Sequence, residues 1–189
     1  MEIWLMTAAA NLAVGALVGL CGVAGFLLPI FYTAVLGMNV SEGLALSFAA
    51  FIVAGALGAW NYQKAGNLDV KFGLKLSCGS LIGAICSMSG AGGPILVMPL
   101  LVVFGIPIRT AIGVALFNSV FIGIPAVIGY AGQCDLMKLL PIFLIVLVTQ
   151  GIGVYFGSRN AAQINQVVLK RGIAIFSILI AVWKLIEIF

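Results

Sequence analysis

The sequence predicts an all-α integral membrane protein, a polytopic helical bundle of about eight transmembrane segments arranged as two inverted pseudo-repeats with glycine-broken helices. Three observations predict it: the composition, the lengths of the apolar runs, and a similarity between two stretches of the chain. Of 189 residues, 63% are hydrophobic and 7% charged, against roughly 45–50% and about 25% in soluble domains; mean hydropathy is +1.28. A soluble domain of this length buries only about 70% of its unfolded surface, so the excess apolar surface must face lipid. The nine basic residues, in a chain of net charge +4, are dispersed in loops and form no nucleic-acid patch. Cys21, Cys78, Cys86 and Cys134 lack C-x-x-C spacing and there is no histidine, so neither a metal nor a cofactor is expected. The cysteines read as small apolar filler.

Apolar runs bounded by turn signals fall at 3–21, 26–37, 43–62, 72–88, 94–106, 111–130, 139–157 and 172–188. The first begins "MEIWLM", acidic where a secretory signal carries positive charge, and reads as a retained helix. The second and fifth are too short to span about 30 Å of hydrocarbon comfortably at 1.5 Å per residue. Each follows a glycine-rich break, "GVAGF" at Gly22–Phe26 and "GAGGP" at Gly90–Pro94. The positive-inside rule tests whether these short runs cross. With eight crossings, Lys64, Lys71, Lys75, Arg109, Arg159, Lys170 and Arg171 share one face and only Lys138 and Lys184 the other. With both short runs re-entrant the nine basic residues divide almost evenly, which orients nothing. Eight crossings with both ends outside is therefore the expected topology, in a single membrane domain over 1–189.

A shift of 70 places lays "GLALSFAAFIV" (Gly43–Val53) over "GVALFNSVFIG" (Gly113–Gly123). Gly43, Ala45, Leu46, Phe51 and Ile52 meet identical residues, Pro29 meets Pro99, and "AGNLD" later aligns with "AGQCD". The repeat units are about 3–62 and 72–130, with further helices at 139–157 and 172–188. Each unit has three segments, an odd number, so the second must lie upside down relative to the first, as in many secondary transporters.

The stretch "SGAGGPILVMP" (Ser89–Pro99) lacks the Gly-Lys-Ser/Thr ending of a phosphate loop. Gly15/Gly19, Gly79/Gly83 and Gly153/Gly157 have the small-xxx-small spacing of close helix packing. Gly90, Gly92 and Gly93 differ, because three glycines beside Pro94 interrupt a helix, and proline suits the first turn of the next. Unwound backbone at membrane depth must be buried in protein or line a wet cavity. The expected substrate site thus comprises Gly22, Gly25, Ser89, Gly90, Gly92 and Gly93, with Asn118 and Ser119 as side-chain donors; Ser87, Asn11 and Ser47 are further polar candidates. Helix starts at Phe26 and Pro94 favour an anion, although two helix ends do not hold a dry dianion alone. Serine hydroxyls have the competing option of bonding their own helix backbone. Glu2, Glu42, Asp69, Asp135 and Glu187 all lie near segment ends or in loops, which argues against a buried carboxylate relay; no catalytic residue is expected.

"GAICSMSGAGGPILVMPLLVVFGIPIRTAIGVALF" (Gly83–Phe117), "YAGQCDLMKLLP", "GIGVYFGSR" and "LKRGIAIFSILIAVWKL" resemble the TauE/SafE family of sulfite and organosulfonate exporters, and "GLCGVAGFLLPIF" does so more faintly. The resemblance implies a multi-pass permease, not an enzyme, moving a sulfur-containing or related organic anion across the bacterial inner membrane. Its partners would be a small-molecule anion and the lipid bilayer, with a homo-oligomer left open. The chain is shorter than is usual for the family, and the family's Gly-Thr-Ser after the short helix is "GVA" at Gly113 and "GLA" at Gly43. A non-transport scaffold or accessory subunit is the alternative reading, and a membrane enzyme using a cysteine for sulfur transfer is a third.

Overall fold

A computed structural model describes residues 2–22, 24–79, 93–161 and 171. Among them every regular element is helical: α1 (Glu2–Cys21), α2 (Ala24–Val35), α3 (Val40–Lys64), α4 (Val70–Gly79), α5 (Gly93–Val103), α6 (Ile108–Ala131) and α7 (Leu136–Ala161). Four of these are long and apolar enough to cross a membrane: α1, α3, α6 and α7. The expected segment at 172–188 lies outside the described residues.

Local chemistry sets the boundaries. Gly22 takes φ of +73° directly after α1, a conformation that favours glycine and stops the helix. After that break α2 opens as a tight 3-10 turn (Ala24–Phe26), continues as one α turn and widens into a π turn over Phe31–Val35. The Asn39 N–H donates to Glu42 Oε2 (3.3 Å) at the start of α3, and Asp69 Oδ1 accepts from the Phe72 N–H (3.0 Å) at the start of α4, so both starts carry an acidic acceptor. α5 begins at Gly93, which puts Pro94 in its first turn as expected. Pro125 and Pro141 lie within α6 and α7.

Helix directions follow from which residues touch. A Cβ added to Gly15 would meet Gln150 and Val154, and one added to Gly19 would meet Val154 and Ser158. Gly153 likewise faces Leu12 and Ala16, and Gly157 faces Ala16. Both residue numbers rise together, so α1 and α7 run parallel, backbone against backbone, through two of the three glycine pairs expected to pack; Gly83 of the third lies outside the described residues. α3 also runs parallel to α7, since Gly151 faces Val53 and Leu57 while Asn61 Nδ2 donates to Ser158 Oγ (2.7 Å). α6 is antiparallel to α3: Gly123 faces Phe48 and Ile52, Gly55 faces Leu116 and Val120, and Gly113 faces Tyr62. Phe48 stacks on Tyr130, ring centroids 5.8 Å apart, and Ser41 Oγ donates to Gln133 Oε1 (3.1 Å), which brings the start of α3 to the end of α6.

Because α1 and α3 are parallel, the chain between them travels back to the level where α1 began, and α2 makes that return. The fold therefore centres on α3, packed between α6 and α7. Leu46, Phe48, Phe51, Ile112, Val114 and Leu116 form the core there. The outward faces are greasy: Leu5 is 75% exposed, Ile128 70% and Val148 60%, as lipid contact requires.

Candidate substrate site

The first break lies within the bundle. A Cβ at Gly22 would sit 3.0 Å from Cγ2 of Ile112 on α6, and one at Gly25 would overlap the Phe51 ring in the middle of α3. From there α2 descends along α3, its Tyr32 and Thr33 reaching Gly43. The Tyr32 hydroxyl donates to Asn11 Oδ1 (2.9 Å), and Asn11 Nδ2 donates to the Thr7 carbonyl (2.8 Å). Both polar atoms of the Asn11 amide are thus partnered, its oxygen tying α2 to α1.

The second short helix meets the first. α5 packs against the Ala24–Phe26 turn as well as against α6. The turn after α5 is tight: Gly105 has φ of +83° and the Ile106 N–H returns to the Leu101 carbonyl at 3.0 Å. Counting about 1.5 Å per residue back along α5 and forward along α6, the opening turn of α5 lies near the level of Asn118. The residues Ser89, Gly90 and Gly92 lie outside the described residues, and Gly93 is the first residue of α5.

Asn118 is fully buried, and neither its Oδ1 nor its Nδ2 has a hydrogen-bond partner. Gln150 on α7 shares this condition at both amide atoms. The two occupy one level of the bundle. Gly55 bears on α6 at Leu116 and Val120, either side of Asn118, while Val53 and Leu57 flank Gly55 and bear on α7 at Gly151, next to Gln150. A buried amide without partners costs about 1–3 kcal/mol per group; Gln150 lies in the α1–α7 seam, its Oε1 3.2 Å from a Cβ built on Gly15, and Asn118 lies on the α6 side of α3, so the two are separate polar points at one depth. Each carboxamide nitrogen carries two donors, the type of group that holds an anion without fixing a full charge in the membrane.

The serines are already engaged. Ser119 Oγ donates to the Ala115 carbonyl (3.0 Å) and Ser47 Oγ to the Gly43 carbonyl (2.6 Å), the helix-backbone option open to any membrane serine. Sequence reasoning singled out Asn118 but missed Gln150, which lies outside the repeat. Its mid-segment amide was the available signal, the same one that marked Asn118.

Cys21 and Cys134 are thiols of intermediate exposure. The Cys21 thiol is 2.9 Å from the Leu17 carbonyl and the Cys134 thiol 3.2 Å from the Tyr130 carbonyl. Desolvation, with the Glu42 carboxylate adding to it, pushes the Cys134 thiol up, away from the thiolate that sulfur-transfer chemistry needs. No group of three or more metal-ligating side chains occurs among the described residues.

Long apolar helices and a short helix that turns back after a glycine break mark a polytopic membrane protein, with two orphaned amides buried at one depth of its bundle. A family model described as "Sulfite exporter TauE/SafE" matches residues 82–184, more than half of the chain. The chain belongs to that family. Nothing matches it among curated proteins or among solved structures.

Proposed function

We propose that the protein is a permease for a small anion, sulfite or a sulfonate or related organic anion, with its site between the two glycine-rich breaks and the Asn118 amide as a principal donor. The observation that carries this reading is the pair of unpartnered atoms on the fully buried Asn118, at the level where α5 opens and near the turn of α2. Family membership supports an exporter and the choice of anion.

Helix directions support eight crossings and an inverted repeat. Re-entrant short runs would make α1 and α3 antiparallel and α3 and α6 parallel, the reverse of the contacts above. The α3–α6 pair also crosses near Phe51, Ile52, Phe121 and Ile122, the identical residues of the two repeat units, as a two-fold axis in the membrane plane requires. Lys64, Arg109 and Arg159 gather at one end of the bundle and the Lys138–Asp135 ion pair (3.1 Å) lies at the other, so the first end faces the cytoplasm of a bacterial inner membrane.

Purified full-length protein in vesicles loaded with sulfite should release it down its gradient faster than empty vesicles. Gly93→Leu and Asn118→Leu should each slow release at least about tenfold, the effect of losing roughly 1.4 kcal/mol of substrate interaction. Undiminished flux in both variants would remove the site from this position.

A further inference from the structure

A second polar feature lies far from the buried amides, at the cation-rich end of the bundle. A pocket of about 360 Å³ lies between the last turns of α3 and α7, lined by Trp60, Asn61, Lys64, Tyr155, Ser158 and Arg159, with Ala65 at its edge. Its floor is fixed. Asn61 Nδ2 donates to Ser158 Oγ (2.7 Å), which itself donates to the Val154 carbonyl (2.7 Å), locking the two helices together.

Two cations line it without a carboxylate partner among the described residues. Lys64 Nζ lies 3.9 Å from the centroid of the Trp60 ring, and among the described residues the Arg159 guanidinium reaches only the Tyr155 hydroxyl at 3.5 Å. The cation–π contact leaves the ammonium's donors open, and Arg159 keeps most of its five N–H groups. Trp60 is 50% exposed and the neighbouring Phe156 58%, so the rim is apolar and lies on the lipid-facing side. Tryptophan and tyrosine with lysine and arginine at helix ends mark the headgroup level of a bilayer.

We infer that this pocket binds the phosphate of an acidic phospholipid headgroup, with Lys64 and Arg159 contacting the phosphate and Trp60 and Tyr155 flanking the start of the acyl chains. The site is separate from the transport pathway and does not depend on which anion is transported. Occupancy bridges α3 and α7 from outside, at the point where Asn61 and Ser158 already join them.

The test is native mass spectrometry of the full chain, delipidated in detergent and offered an equal mixture of phosphatidylglycerol and phosphatidylcholine. Phosphatidylglycerol should be retained preferentially. Lys64→Gln with Arg159→Gln should cut that preference roughly thirtyfold, and Lys64→Gln alone about fivefold, as expected for loss of two cations or one near an acidic surface. Lys64→Arg with Arg159→Lys should preserve it, as should Lys138→Gln at the opposite end. Equal retention of the two lipids overturns the inference, and so does a preference unchanged in the double variant. A third arm adds inorganic phosphate or sulfite without lipid: saturable binding lost in the double variant, with no lipid preference, assigns the pocket to a free anion and overturns the lipid reading.

Discussion

Replacing Asn118 by leucine removes a fully buried amide that has no partner, and its two roles predict opposite signs. An amide kept for substrate is a liability of about 1–3 kcal/mol to the empty fold, so Asn118→Leu should melt at the wild-type temperature or above it in detergent while anion flux falls. Parallel loss of stability and flux would mark Asn118 as structural. Asn11 supplies the contrast: its carbonyl accepts from Tyr32 and its amide donates to Thr7, so Asn11→Leu strands the Tyr32 hydroxyl and should lower stability by roughly 1–3 kcal/mol. Residue type alone did not separate these two asparagines; the difference lies in a neighbour 21 positions away, which no local pattern reveals. Ser119 is the local counterpart: its hydroxyl takes the helix-backbone option open to any membrane serine and is turned to Ala115, four residues back. Cys134 extends the residue-scale argument to pH. With burial holding its thiol above the ordinary value of about 8.5, the neutral form dominates at pH 7, and the alkylation rate should still be climbing above pH 9. A rate that levels off below pH 8 would restore the thiol as a nucleophile.

Among the elements, the α1–α7 contact depends most on a few atoms. A Cβ on Gly157 would overlap the Ala16 carbonyl, and one on Gly19 would lie 2.6 Å from the Val154 oxygen; backbone cannot step aside as a side-chain tip can. Gly157→Val should therefore lower stability by about 1–3 kcal/mol or more through overpacking, read as a lower melting temperature or loss of monodisperse protein. Gly129→Ala, where nothing lies within 4 Å, should be neutral or stabilising by up to about 1 kcal/mol, the helix propensity gained. The existence of these elements was legible in sequence, because glycine and proline punctuate apolar runs and the small-xxx-small spacing marks close packing. Their finer form was not. The π turn at Phe31–Val35 has no glycine or proline within it, and it carries Tyr32, which bonds Asn11 on α1, and Thr33, which lies against Gly43.

At the scale of the whole molecule, the question is which side of the membrane each turn occupies, and charge and packing bear on it independently. The distribution of lysine and arginine along the sequence favours crossing short helices; the parallel course of α1, α3 and α7 with α6 reversed favours the same arrangement by contact geometry among the described residues. Direction was readable from sequence only through charge, since hydropathy is blind to the sense in which a helix is threaded. Single cysteines in a background with Cys21, Cys78, Cys86 and Cys134 replaced by serine discriminate the alternatives. Asn39→Cys and Ala65→Cys sit in exposed turns before and after α3, and Phe104→Cys and Gln133→Cys in exposed turns before and after α6. If α2 crosses, a membrane-impermeant thiol reagent applied to intact cells labels positions 39 and 133 and spares 65 and 104. If both α2 and α5 are re-entrant, positions 104 and 133 keep their sides but 39 and 65 exchange, because α3 is then threaded the other way. Labelling of 65 with protection of 39 would overturn the inverted repeat and, with it, a site formed where two oppositely oriented broken helices meet.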